Sequence, residues 1–111
     1  MSNRVIKFRA WDGRRFHYFT ALSGLYGVIA EHVEQFTGLH DKNGKEVYEG
    51  DIVRFRGGKK PKNGERPLCI SVCVFNKGMF TVEKNTSIMH DHTVLRISEV
   101  IGNIHENTEL L

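Results

Sequence analysis

FTGLHDKNGKEVYEGDIVRF, residues 36–55, decides how the rest of the chain is read. Gly, Asp and Asn crowd its first half, and charged residues are scattered through all of it. Thr37-Gly38 reads as the end of the preceding element, because glycine enters the left-handed region without a Cβ clash. DKNG, 41–44, is a turn in which Asp41 bonds its own backbone and Asn43-Gly44 tolerates left-handed conformations. Lys45–Tyr48 is a short extended piece. EGD, 49–51, is a second turn that delivers the chain into a strand starting at Ile52 and Val53, with Phe55 on the Val53 side of the pleat. The charged residues are expected at turn positions covered by water. The stretch is turn chemistry, and it implies a fold of short strands.

Outward from it the pattern repeats. RVIKFRAW and RFHYFT alternate around Asp12-Gly13 and read as a β-hairpin, with Phe16, Tyr18 and Thr20 on one face. Residues 21–36 carry apolar side chains at helical spacing, but Gly24 and Gly27 each cost about 1 kcal/mol in a helix, which favours a loop and then a strand over 31–37. LCISVCVF and MFTVE flank Asn76-Lys77-Gly78 as a second hairpin. NTSIMHDHTV is a connecting loop with room for a turn of helix near its end. LRISEVIGNI has the alternation of a bulged strand, and HENTELL suits one terminal turn laying Leu110 or Leu111 on the body. Five to seven short strands in 111 residues predict a single all-β domain, a small barrel or sandwich. Its expected parts are a hairpin and strand over 1–37, a barrel-like part over 46–104, and a tail over 105–111.

Bulk properties exclude several classes. The chain is 40% hydrophobic and 26% charged, with no apolar run near the roughly 18 residues of a membrane span. The beginning, MSNRVIKFRAWDG, lacks the apolar core of a secretory signal, so the expected compartment is the cytoplasm. Cys69 and Cys73 would lie about 13 Å apart along a strand, too far for a disulfide or a shared metal, and are expected as free thiols.

Net charge is +3, unevenly spread: Ile52–Arg66 holds six basic residues against Glu65 alone. Arg54, Arg56, Lys59, Lys60, Lys62 and Arg66 are therefore the leading binding candidates. Such a segment is a phosphate-tracking rim or a solvated edge that discourages strand-to-strand aggregation. Exposed aromatics, which single-strand binders interleave with charge, are few here. Arg9 and Trp11 are secondary candidates, with Trp11 stacking on a base or a partner ring. The competing reading places Trp11 in the core and pairs Arg9 with a carboxylate such as Glu49 or Asp51. His90 and His92 could bridge a metal only with a third ligand from Cys73, His32 or another distant residue, so no metal or cofactor is expected. The carboxylate pairs Glu49/Asp51 and Asp41/Glu46 sit in turns with no neighbouring nucleophile. Ser23, Ser71, Ser87 and Ser98 lack a nucleophile-elbow context, and no phosphate loop is present; the chain is not expected to be an enzyme.

IKFRAWD at 6–12, FTGLHDKNGKEVYEGDIVRF at 36–55 and EVIGNIHENTELL at 99–111 together resemble the YopX family of small phage and prophage proteins. Two positions depart from the family pattern: Thr108 stands at or near a common proline, and His40 where lysine is frequent. The resemblance implies a mainly β protein with a barrel-like part after EGDIV, prone to self-association and without enzyme activity. It suggests a homo-oligomeric accessory protein in the host-cell cytoplasm that binds a host or phage macromolecule and acts by occlusion, host defence included. Two alternatives stand beside it: nucleic-acid binding through 54–66, and capture of a nucleotide signal at an oligomer interface.

Overall fold

A computed structural model describes residues 6–20, 32–85 and 92–111. It is mainly β, with eight strands and one short helix among the described residues. Strands β1 (Phe8–Trp11), β2 (Phe16–Phe19), β3 (His32–His40) and β4 (Glu46–Tyr48) form one antiparallel sheet in the order β2-β1-β3-β4. Strands β5 (Asp51–Arg56), β6 (Leu68–Asn76), β7 (Met79–Val82) and β8 (Glu99–Asn103) form a second, in the order β7-β6-β5-β8. Helix α1 spans Thr93–Ile97, and a 3-10 turn, Thr108–Leu110, ends the chain. The strand count exceeds the expected five to seven because the short piece at 46–48 is a true strand. It pairs with β3, and so belongs to the first sheet rather than to the barrel-like part that follows. No helix among the described residues is long and apolar enough to cross a membrane.

Both expected hairpins form. In the first, Asp12 accepts hydrogen bonds from the Arg14 and Arg15 amides and pairs with His17, which holds its carboxyl well below the ordinary range. In the second, Lys77 and Gly78 both take positive φ, as a two-residue turn requires.

Two expectations fail for local reasons. Gly38 does not end its strand: β3 continues to His40, with Gly38 at φ +84° and the register to β4 shifting between Phe36 and His40. Thr37 keeps the ladder closed across the shift, donating Oγ1–H to the Val47 carbonyl while accepting the Leu39 amide. Nor is LRISEVIGNI one bulged strand. Val94 and Leu95, both wholly buried, lie in the helical turn Thr93–Ile97 that packs on the core of the second sheet. Ser98 closes that turn through Oγ–H to the Leu95 carbonyl, and only Glu99–Asn103 is strand. The bulge is real but lies farther on, where Ile52 faces Gly102 and Val53 faces Val100, leaving Ile101 extra.

The apolar core sits within the second sheet. Val53, Phe55, Cys73, Phe80 and Val82 point inward, α1 adds Val94 and Leu95, and Val47 closes the cluster from β4. Burial raises the Cys73 thiol far above its ordinary value, while Cys69 is half-buried.

Candidate functional site

The six basic residues of the leading candidate divide into two groups. Arg54 and Arg56 project from the outer face of β5, directly across from Ile70 and Leu68 of β6. Arg54 is held by Glu99 at 2.8 Å, and Lys42 approaches the same carboxylate at 3.9 Å. Arg56 pairs with Glu65 at 3.0 Å and donates to the Arg66 carbonyl, while Arg66 donates to the Gly58 carbonyl. These arginines thereby brace the 57–67 loop on itself. Lys59, Lys60 and Lys62 are exposed on that loop and form no ion pair among the described residues. An open groove of about 550 Å³ runs between Lys42, Arg54 and Arg56 on its polar side and Leu68 and Ile97 on its apolar side. Phe55 lies at its floor but is only 2% exposed, so it offers no ring for stacking.

The secondary candidates, Arg9 and Trp11, stand at the centre of a second, polar core. Both side chains leave the same face of β1. Register places Arg9 between Tyr18 and Glu34, and Trp11 between Phe16 and His32. The Arg9 Nε donates to Glu34 at 2.8 Å; its Nη2 reaches Asp51 at 2.8 Å and the Glu49 carbonyl at 3.2 Å. Its guanidinium lies 4.1 Å from the Phe16 ring centroid and 4.8 Å from that of Tyr48, an aromatic clamp on a buried cation. Burial alone would weaken the charge on Arg9, but Asp51 and Glu34 outweigh it and hold its pKa above the ordinary value. Burial pushes the Asp51 carboxyl up, with Arg9 pulling against it. The Tyr48 phenol is pushed up to about 12 by burial and then by Glu46, so it stays protonated.

Glu34 takes a second partner from the far end of the chain. His105 lies 3.0 Å from it through Nε2, stacked on Trp11 at 5.0 Å with the rings within 11° of parallel. This core joins the two sheets: Arg9 and Glu34 come from the first, Asp51 opens the second, and His105 follows β8. Beside it lies an open cavity of about 360 Å³ whose walls include Arg9, Phe16, Tyr18, Lys45 and Tyr48. Trp11 belongs to the interior at 9% exposure and is not presented for stacking with a partner.

The carboxylates of residues 36–55 make the expected bonds, Asp41 to its own turn and Asp51 to Arg9, but they make them inside the protein. Asp41 and Asp51 are buried at 6% and 3% exposure, against the expectation of a water-covered turn. Asp41 accepts the amides of Asn43, Lys45 and, across the fold, Val100. Burial would raise its carboxyl; the three amides outweigh that and lower it. Asp51 accepts the Tyr48 amide besides pairing with Arg9. An aspartate ionised in a buried turn is stable only where such donors converge.

Sequence reasoning missed Glu34, Tyr48 and His105 as parts of this core. Glu34 was visible as a charged residue on the face of β3 that carries Phe36; His105 had no local signal, since it acts 71 residues away from Glu34. No group of three or more metal-ligating side chains occurs among the described residues, and of the His90/His92 pair only His92 is described, at the start of α1.

Comparison with known proteins matches a family model described as YopX protein over residues 21–111. The structure is similar to the crystal structure of protein EF1440 from Enterococcus faecalis, with a TM-score of 0.67 and 26% identity, covering 98% of this chain and 99% of that one. No curated protein matches. A family model matching most of the chain, a neighbour sharing the whole two-sheet fold, and a buried hub built from EGD and GLHDKNG agree: the chain belongs to the YopX family.

Proposed function

We propose that this protein is a non-catalytic phage or prophage accessory protein, a binding module for an acidic, partly apolar surface on a host or phage protein. The observation that carries the reading is the outer face of β5 and β6. There Arg54 stands across from Ile70 and Arg56 across from Leu68, with Lys42 and Ile97 at the rim. Alternating arginine and exposed aliphatic side chains suit a protein surface better than a bare phosphate backbone. A protein supplies carboxylates for the first and apolar groups for the second. Occlusion of the partner by a homo-oligomer in the host-cell cytoplasm is the mode of action in this proposal.

Nucleic acid is the rival reading, favoured by one observation: Lys59, Lys60 and Lys62 are exposed without ion pairs among the described residues. Native mass spectrometry of the tagged protein, purified gently from its host, separates the two. A discrete bound protein that is lost from an Arg54→Glu, Arg56→Glu variant supports the module. A bound oligonucleotide lost on neutralising the three lysines, with affinity falling steeply in salt, replaces it. A stoichiometric nucleotide would point to signal capture instead.

A further inference from the structure

We propose that the module engages its partner by strand addition: an extended peptide segment with an acidic end pairs antiparallel with the open edge of β6 at Leu68 and Ile70. This deepens the binding-module reading and rests on it.

The backbone of β6 faces two ways. The carbonyls of Pro67 and Cys73 accept the amides of Gly57 and Gly50, so the odd-numbered residues 67 to 73 turn their polar groups toward β5. The even-numbered ones face the other side, where the Val72 carbonyl accepts the Glu83 amide. Pairing with β7 covers Cys73–Asn76 and reaches no farther back than that Val72 bond. Beyond it the Lys84 amide turns away to the Ser71 hydroxyl, and no strand among the described residues continues the ladder. Among the described residues, the N–H and C=O groups of Leu68 and Ile70 thus lie along an edge that no strand pairs, the feature that β-strand addition uses.

Side chains at this edge add specificity. Leu68 and Ile70 are 56% and 43% exposed, on the same outer face as Arg56 and Arg54. A cavity of about 260 Å³ lies at the edge, bounded by Ile70, Val72, Lys84 and Leu111, and is sized for one apolar side chain. The loop entering β6 carries Lys59, Lys60 and Lys62. A strand running antiparallel to β6 directs its C-terminal end toward that loop, so the acidic residues belong at that end.

The test begins with amide hydrogen exchange of the unliganded protein by NMR. Ile70 and Leu68 are expected to exchange fast while Ser71, bonded to β5, is slow; slow exchange at Ile70 overturns the proposal, because the edge is then covered. The probe is a synthetic peptide of alternating threonine and valine ending in three acidic residues, which should protect both amides. Ile70→Pro removes the outward N–H together with the isoleucine side chain and should weaken the probe about tenfold. Ile70→Lys, which keeps the backbone donor, serves as a folding control and should weaken it less. Equal affinity for wild type and Ile70→Pro overturns the proposal. So does concentration-dependent self-association abolished by Ile70→Pro, which assigns the edge to a second copy. A copurified host partner that survives Ile70→Pro but not reversal of Arg54 and Arg56 removes strand addition while leaving the binding module intact.

Discussion

Replacing Arg9 by methionine isolates what holds the two sheets together. The change keeps most of the side-chain volume and removes the cation. It breaks two ion pairs of 2.8 Å and a bond to the Glu49 carbonyl, and it unclamps the Phe16 and Tyr48 rings. His105 remains in contact with Glu34, whereas Asp51, with 4% of its side chain exposed, loses its ion-pair partner and keeps only the Tyr48 amide. Removing one partner of a buried pair costs about 3–5 kcal/mol, because the other charge stays buried. At a urea slope of about 1.5–2 kcal/mol per molar, the unfolding midpoint should fall by about 1.5–3 M. Arg56→Met is the control: its pair with Glu65 is 46% and 75% exposed, and such pairs contribute at most about 1 kcal/mol.

The sign of the pH dependence sharpens the test. Without Arg9 to oppose burial, the Asp51 pKa in the folded protein rises further above its unfolded value. A carboxyl raised in this way favours folding below its unfolded pKa, and that contribution is lost as pH rises through the folded one. The gap between Arg9→Met and wild type should therefore be widest near neutral pH and narrow on acidification. Adding Asp51→Asn should recover part of the loss at pH 7. A midpoint shift no larger than that of Arg56→Met, or a gap that widens in acid, would refute the assignment of the Arg9 core as the joint between the sheets.

Gly50→Ala should cost about 2–4 kcal/mol in urea unfolding: Gly50 has φ +87°, and an added Cβ would come within 2.1 Å of the buried Glu34 carboxylate. Gly44→Ala, at φ +83° in open space, should cost only about 1 kcal/mol. Asp41→Asn turns an amide donor toward the Val100 N–H and should cost about 1–3 kcal/mol at pH 7. The lowered Asp41 carboxyl contributes stability above its unfolded pKa that is lost as pH falls through the folded one, so acid titrations of this variant and wild type should converge. Leu95→Ala, at a wholly buried position of α1, should cost about 2–5 kcal/mol by thermal or urea unfolding.

The strands were legible where period-two alternation met a glycine turn. The hairpins at 12–15 and 76–79 needed nothing beyond local sequence. Reading failed where a residue answered to a distant partner. Gly38 looks like a terminator in sequence, yet the Thr37 bond to the Val47 carbonyl carries the strand through it. Leu95 and Ile97 alternate as in a strand, but Val94, next to Leu95 in the chain, is buried in the same core, and the pair sits in α1. The site divided along the same line. Arg9 was singled out beside Trp11, and Asp51, 42 residues on, was among the carboxylates it could pair with; Glu34, 25 residues on, had no local pattern to name it. The basic segment was visible as composition, but the division between braced arginines and free lysines depends on Glu65, Glu99 and loop carbonyls.

The acidic and glycine turn residues that mark the segment most characteristic in sequence are therefore the ones least available for contact with a partner. Within residues 36–55, Asp41 ties the β3–β4 turn to β8, Gly50 bridges β6 and Ile104, and Asp51 receives Arg9 from β1. Each of these groups is buried and already bonded, so substitutions there report on folding. Surfaces that can be substituted without disturbing the hub lie at the end of this segment and beyond it: the outer face of Arg54 and Arg56, the loop with Lys59, Lys60 and Lys62, and the β6 edge at Leu68 and Ile70. These surfaces adjoin one another, on strands whose positions the hub sets. A rigid joint made of buried turn chemistry thus fixes the strands on which the proposed contact surface stands, so changes in the loop and at the outer strand positions can alter that surface without altering the joint.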